Sequence, residues 1–270
     1  MLNFQDLPDE LVLKLLSYSE TKDLISCGQV SKRIRRISRD GKLWVAANLE
    51  KKIVKTELLE MILRKGCRIL NLCHSTILGT FSSNINSQLR VLNLSQLAWT
   101  DENTAALEEL LSSCCSLQHL EMEGLCITPK MALSICKNGK TLQVLNLNHS
   151  YVGTFDRLDC TLHNTTSDFQ AIIKCCQELK ELDLNYTSAT NNANENQGLS
   201  DDDLEHLAEN ISSNVEKLNL INQSVAEEHV EIMLRRCNKI KVLTLEALFI
   251  FENPLKMIRQ HLNLTMQELT

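Results

Sequence analysis

The sequence predicts an α/β chain of two unequal parts: a small three-helix unit at residues 1–48, and a repeat solenoid at residues 49–270 with a parallel β-sheet on its concave face and helices outside. Three observations predict it. A short text, Leu-x-x-Leu-x-Leu, returns along the chain from residue 67 onward. The segments between its copies carry apolar residues at helical spacing. The first forty-odd residues crowd Leu and Ile into three short helical stretches, each preceded by candidate caps.

Those stretches come first in the chain, in FQDLPDELVLKLLSYSETKDLISCGQVSKRIRRISRDGKLW. Asp6 or Leu7 can end a leading extended segment, and Pro8 suits the first turn of a helix, where its missing N–H is not needed. Asp9 and Glu10 place negative charge at that helix N-terminus. Leu11, Leu13, Leu15 and Leu16 then crowd one short helix. Thr21 or Asp23 can cap a second helix carrying Leu24, Ile25 and Cys27, and Ser31 a third carrying Ile34 and Ile37. Three helices of about ten residues cannot bury that much Leu and Ile among themselves. The surplus apolar surface implies a partner.

Leu7-Pro8-x-Glu10, the Leu11/Leu15/Leu16 helix, Val30-Ser31-Lys32-Arg33 and Leu43-Trp44 occur in the order and at the spacing of a known module. The segment resembles an F-box, which docks on the S-phase-kinase-associated adaptor of cullin-type ubiquitin ligases. Ile34 stands where many F-boxes carry Trp, and it keeps that volume apolar. The resemblance implies adaptor binding through Leu7, Pro8, Glu10, Leu11, Leu15, Leu24, Val30, Leu43 and Trp44, and recruitment of a cullin scaffold through the adaptor.

The repeat text reads Leu89-x-x-Leu92-x-Leu94, Leu117-x-x-Leu120-x-Met122 and Leu142-x-x-Leu145-x-Leu147. It continues as Leu179-x-x-Leu182-x-Leu184, Val215-x-x-Leu218-x-Leu220 and Ile240-x-x-Leu243-x-Leu245, with a weaker first copy at Cys67-x-x-Leu70-x-Leu72. These are leucine-rich repeats, seven copies whose second apolar position steps by 22, 28, 25, 37, 36 and 25 residues. Each copy pairs a strand with a helix that cannot bury its apolar side alone, so stacking makes one continuous core. Helices are expected at Glu102–Ser113, at Asp201–Asn210 with Ser200 or Asp201 as cap, and at Val225–Arg236 with Arg235 and Arg236 in the last turn. Cys114, Cys176 and Cys237 each stand three residues before the first apolar position, where a small soft residue fits a tight helix-to-strand corner. The two long steps need insertions, around Tyr151–Ser167 and Thr187–Gly198, both on one rim. At the end, Asn253-Pro254 starts a closing element with an apolar stripe at Leu255, Ile258, Leu262 and Leu269; a helix to about Leu262 followed by a short irregular strand is equally allowed.

Composition narrows the function classes. Residues 1–66 hold 13 Lys and Arg against 9 Asp and Glu, while the remainder holds 15 against 25. The acidic solenoid argues against nucleic acid, so Lys32-Arg33-Ile34-Arg35-Arg36 reads as the wet side of the third helix. No apolar run reaches membrane-span length and the N-terminus lacks a signal-peptide pattern, so cytoplasm or nucleus is expected, with the 11 cysteines mostly free thiols. Phosphate-binding glycine loops and hydrolase elbows are lacking. Cys160-x-x-His163 near Cys175 and Cys176 lacks the tight ligand pairs of structural zinc. No cofactor or metal is expected.

On each repeat strand, residues flanking the leucines point away from the core. The candidate target-binding set is His119, Glu121, Glu123, Asn146, Asn148, Glu181, Asp183 and Asn185, with Glu246 further along. Its carboxylates make an acidic centre suited to a Lys/Arg-rich protein segment. An F-box followed by leucine-rich repeats, with the stretches Leu120–Leu125 and Lys137–Leu142, resembles the F-box/leucine-rich-repeat substrate receptors, cell-cycle receptors among them. The resemblance implies a non-catalytic subunit that presents a target for ubiquitination and degradation. The alternatives are an adaptor-binding scaffold without ubiquitin transfer, and a free repeat protein that inhibits another enzyme.

Overall fold

Helix α1 covers Asp9–Leu16, α2 Thr21–Val30 and α3 Lys32–Ser38 in a computed structural model that describes residues 7–82, 85–98, 100–153, 167–189 and 198–245. Pro8 stands just ahead of α1, and its carbonyl accepts from the amides of Leu11 and Val12, both at 3.1 Å. Ser31 caps α3 by accepting from the Ile34 amide at 3.1 Å. Thr21 and Asp23 lie within the first turn of α2, which starts after Glu20, and neither is its cap. The Thr21 hydroxyl instead accepts from the amide of Asn48 at 3.1 Å, which ties the helices to the sheet.

Eight parallel strands form that sheet among the described residues. They are β1 (Ala46–Asn48), β3 (Ile69–Asn71), β5 (Val91–Asn93), β6 (His119–Glu121), β8 (Val144–Asn146), β10 (Glu181–Asp183), β11 (Lys217–Leu220) and β12 (Val242–Leu245), in that spatial order. Two small parallel pairs flank it: β2 (Ile53–Lys55) with β4 (Thr76–Leu78), and β7 (Cys126–Ile127) with β9 (Tyr151–Val152). Strand β1 is an eighth copy where the sequence indicates seven, and it lies inside the segment assigned to the helical unit. Its text, Trp44-x-x-Ala47-x-Leu49, keeps the apolar spacing without leucine at the first two positions. The sheet therefore begins ahead of the 48/49 boundary. One core continues from Val12, Leu16 and Trp44 through Ala47 into the leucines of the repeats.

The alternation of the strands is the alternation of the core. Ala47, Leu70, Leu92, Leu120, Leu145, Leu182 and Leu218 occupy equivalent register positions and are all buried. Full burial of one Leu contributes about 1.5–3 kcal/mol, so the repeating leucine is the main stabilising unit. Helices α4 (Thr56–Arg64), α5 (Asp101–Ser112), α6 (Pro129–Lys137), α7 (Asp168–Cys175), α8 (Asp201–Asn210) and α9 (Glu227–Arg236) pack outside the sheet. Ser200 is the cap of α8, accepting from the Asp203 amide at 3.2 Å. Helix α9 starts two residues later than the sequence suggests, because Val225 is drawn into the core ahead of it.

Buried side-chain hydrogen bonds join one repeat to the next. The hydroxyls of Ser75, Ser150 and Thr187 donate to the carbonyls of Leu49, Met122 and Leu147 at 2.6, 2.6 and 2.7 Å. Gln223 Nε2 makes the same link to Leu184 at 2.8 Å. At the helix-to-strand corners Cys114, Cys176 and Cys237 are buried, and burial pushes their thiols up to about 11, 12 and 11. Cys115 and Cys175 beside them are exposed. Both long insertions interrupt a strand-to-helix connection, and 154–166 and 190–197 within them lie outside the described residues. So do Cys160, His163, Glu246 and the expected closing element.

Asn138 joins two helix-to-strand corners through one side chain. Its Oδ1 accepts from the Leu117 amide at 3.0 Å, and its Nδ2 donates to the carbonyls of Cys114 and Ser134 at 3.1 and 2.9 Å. Gly139 follows because a Cβ there would lie 2.4 Å from the carbonyl oxygen of Cys175 in the next corner. Asn138→Ala leaves buried backbone groups of two corners unpaired, and the expected loss in urea unfolding is about 2–3 kcal/mol. Asn138→Asp restores the acceptor but not the donors, so it should remain destabilised.

Candidate interaction surfaces

The helical end buries one side and leaves the other open. Val12 and Leu16 of α1 are buried, whereas Leu11 and Leu15, one turn apart, are 48% and 50% exposed. Val30 at the end of α2 is 76% exposed, and Tyr18 just beyond α1 is 78% exposed. Leu24, Leu43 and Trp44, three of the expected adaptor contacts, are buried in the shared core. Leu7 is half-buried against the same core, and Pro8 and Glu10 are exposed. Ile34 is buried too.

The basic stretch of α3 is more than a solvated face. Arg33 Nε donates to Asp9 Oδ1 at 2.8 Å, Arg36 donates to Asp9 Oδ2, and Arg33 also reaches the carbonyl of Leu7. The hydrogen bond from Arg33 holds the Asp9 carboxyl below the usual carboxylate range. Arg35 Nε donates to the Gly28 carbonyl at 2.7 Å. These contacts set the direction of α1, and with it the direction in which Leu11 and Leu15 face.

On the open face of the sheet, the residue after the inward-facing one does local structural work on six of the strands. Oδ1 of Asn48, Asn71, Asn93, Asn146, Asp183 and Asn219 accepts from the amide two residues ahead, at 2.8–3.2 Å. Asn and Asp have the right length for this turn, which explains their recurrence. Asn146 and Asp183 therefore each offer only the other half of the side chain to a partner. Glu121 sits in the same column, is one carbon longer, and engages His119 at 2.7 Å instead. That hydrogen bond lowers the Glu121 carboxyl against the opposing effect of burial.

The predicted acidic centre is thus partly neutralised within the chain. Glu181 pairs with Lys217 at 2.8 Å, and Asp183 Oδ2 accepts from Asn219 at 3.1 Å. His119, Glu121, Asn146, Glu181, Asp183 and Lys217 all line one shallow concavity of about 290 Å³. Glu123, Asn148 and Asn185 lie outside it, in the column beyond the strand ends, with Asn148 Oδ1 and Asn185 Oδ1 buried and lacking a hydrogen-bond partner.

Three residues past Asn48, Asn71, Asn93, Glu121, Asn146, Asp183 and Asn219, the backbone enters the left-handed region, at Lys51, His74, Gln96, Gly124, His149, Tyr186 and Asn222. Only one of the seven is glycine. The fixed offset from the strand text was visible, but the conformation was not, because five other residue types occupy it.

Together these features define a class: a parallel-sheet repeat scaffold with a small helical unit fused to its first strand. Residues 4–49 match the F-box-like family and are an F-box-like domain. Among solved structures, internalin C2 from Listeria monocytogenes str. 4b F2365 is similar, at 13% identity and a TM-score of 0.54, over 92% of this chain and 91% of that one. Internalin F from the same organism is 14% identical over 80% and 72%, at a TM-score of 0.36. The likeness to internalin C2 is one of fold alone, and it fits the leucine-rich-repeat solenoid. The chain is an F-box-like domain followed by leucine-rich repeats.

Proposed function

We propose that this protein is the substrate receptor of a cullin-type ubiquitin ligase. The F-box-like domain holds the S-phase-kinase-associated adaptor, and the repeats hold a protein target for ubiquitination and degradation. The observation that carries this reading is the set of large apolar side chains left open on the F-box-like domain: Leu11, Leu15, Tyr18 and Val30. The protein itself supplies no reacting group. Its contribution is proximity, since holding the target beside a ubiquitin-charged enzyme raises the effective concentration of the reacting partners. The fused core suits this role, because a rigid joint between docking unit and solenoid keeps the target at a defined place. Such a receptor works in the cytoplasm or nucleus. Among the described residues no helix is long and apolar enough to cross a membrane.

Capture of purified adaptor by the immobilised protein tests the first half, with Leu11→Glu/Leu15→Glu as the comparison. Retained capture by that variant would end the receptor reading.

The second half concerns the concavity on the open face. Glu121 and Asp183 suit a Lys/Arg-rich segment of the target. Glu121→Lys with Asp183→Lys is expected to weaken capture of a basic peptide at low salt by about tenfold or more, with adaptor capture unchanged. A peptide bound equally well by both proteins would remove the acidic face from the mechanism.

A further inference from the structure

The left-handed rim contains a notch. Amides along it bond from repeat to repeat: Gln96 to the Glu123 carbonyl at 2.7 Å, Gly124 to Asn148 at 2.9 Å, and His149 to Asn185 at 2.8 Å. The rim positions Gln96, Gly124, His149 and Tyr186 are therefore consecutive neighbours. His149 and Tyr186 stack face to face, with ring centroids 4.6 Å apart and planes 6° from parallel. Both are exposed, Tyr186 to 47%. Gly124 contributes no side chain to the His149 face turned away from Tyr186. Across Gly124 lies the amide group of Gln96: a Cβ on Gly124 would come within 2.7 Å of Gln96 Nε2 and 2.9 Å of its Cδ. That Nε2 donates to Glu123 Oε1 over a long 3.3 Å, in an exposed setting. A flat N–H donor thus already lies against Gly124, beside a carboxylate, with Gly124 between it and the stacked rings on the rim.

We propose that this notch takes an arginine side chain of the protein target, with the guanidinium lying over Gly124 against His149 and donating to Glu123. The guanidinium reproduces what the Gln96 amide does there, and adds charge. It is planar, so it stacks on the ring pair, and its fork of donors matches a carboxylate. The Gln96 amide already donates to a carboxylate, over a long 3.3 Å, and a guanidinium adds a full positive charge and a second N–H in the same fork. A lysine ammonium is a compact, strongly hydrated charge and gains little from a flat slot. An uncharged aromatic ring would stack but leave the carboxylate without its donor.

The inference rests on the reading that the repeats receive the target, and its test is separate from adaptor capture. The full chain, labelled on His and Tyr rings, is titrated with acetyl-Gly-Gly-Arg-Gly-Gly-amide and with the Lys counterpart while the ring signals are followed by NMR. Saturable shifts of His149 and Tyr186 are expected with the Arg peptide, and binding at least about threefold weaker with the Lys peptide. Gln96→Ala removes the competing donor and should tighten Arg-peptide binding by about twofold or more, while Glu123→Gln should weaken it by about tenfold. Tyr186→Ala should reduce the preference for Arg over Lys. Equal binding of the two peptides, absence of ring shifts, or weaker binding by Gln96→Ala would each overturn the proposal. If that happens while adaptor capture remains intact, the receptor reading stands and the notch alone is lost.

Discussion

Trp44→Ala is expected to lower the unfolding free energy by about 3–5 kcal/mol, the range for truncating a large buried aromatic residue. Trp44 is 2% exposed, and its indole Nε1 donates to the Ser38 carbonyl at 2.7 Å. It ends the 3₁₀ turn Gly41–Trp44 that leads out of α3 and precedes β1, at the position that leucine or another apolar residue fills in later repeats. Its removal opens a cavity between docking helices and sheet and leaves the carbonyl of Ser38 without its buried donor. Urea unfolding followed by circular dichroism measures the loss. Leu133→Ala, at a side chain 64% exposed on α6, is the control and should cost under about 0.5 kcal/mol. A Trp44→Ala loss below about 1 kcal/mol would show that other contacts hold the joint.

The second large effect is on binding alone. Leu11→Glu with Leu15→Glu should weaken adaptor capture by about a hundredfold or more, since central apolar anchors at interfaces are worth about 2 kcal/mol or more each. The melting temperature should scarcely change, because both side chains are half exposed and neither replacement buries a charge. Val12→Glu, one residue along the same helix, is the contrasting case. Val12 is fully buried, so a carboxylate there should unfold the helical unit rather than spare it. The three substitutions together separate a docking defect from a folding defect.

Much of the molecule was legible in one dimension. The Leu-x-x-Leu-x-Leu text placed the strands at Leu92, Leu120, Leu145, Leu182, Leu218 and Leu243 because a leucine pointing inward from each strand is the repeat's main requirement. Ser31 and Ser200 were readable as caps because a cap works within three residues of itself. Strand β1 escaped because Trp44 and Ala47 meet the spacing with other residue types. Thr21 looked like a cap, but its hydroxyl serves Asn48 on another element. The ion pair within the acidic centre is hidden from the sequence for the same reason: Glu181 and Lys217 are neighbours only once β10 and β11 pair.

The sequence by itself determined the period, the α/β class, the inward leucines and the character of the N-terminal helices. These follow from residues spaced a few positions apart, where periodicity and capping act. Only the tertiary structure decided which leucines of α1 stay outside, that Leu24, Leu43 and Trp44 go inside, and that one core joins docking unit and solenoid. It also decided that Glu121 faces His119, and that His149 stacks on Tyr186 beside the bare backbone of Gly124. Apart from the His119–Glu121 pair, whose members share one strand, these outcomes depend on partners far away in the chain. Burial and charge pairing belong to neighbours in space, which a linear pattern does not specify.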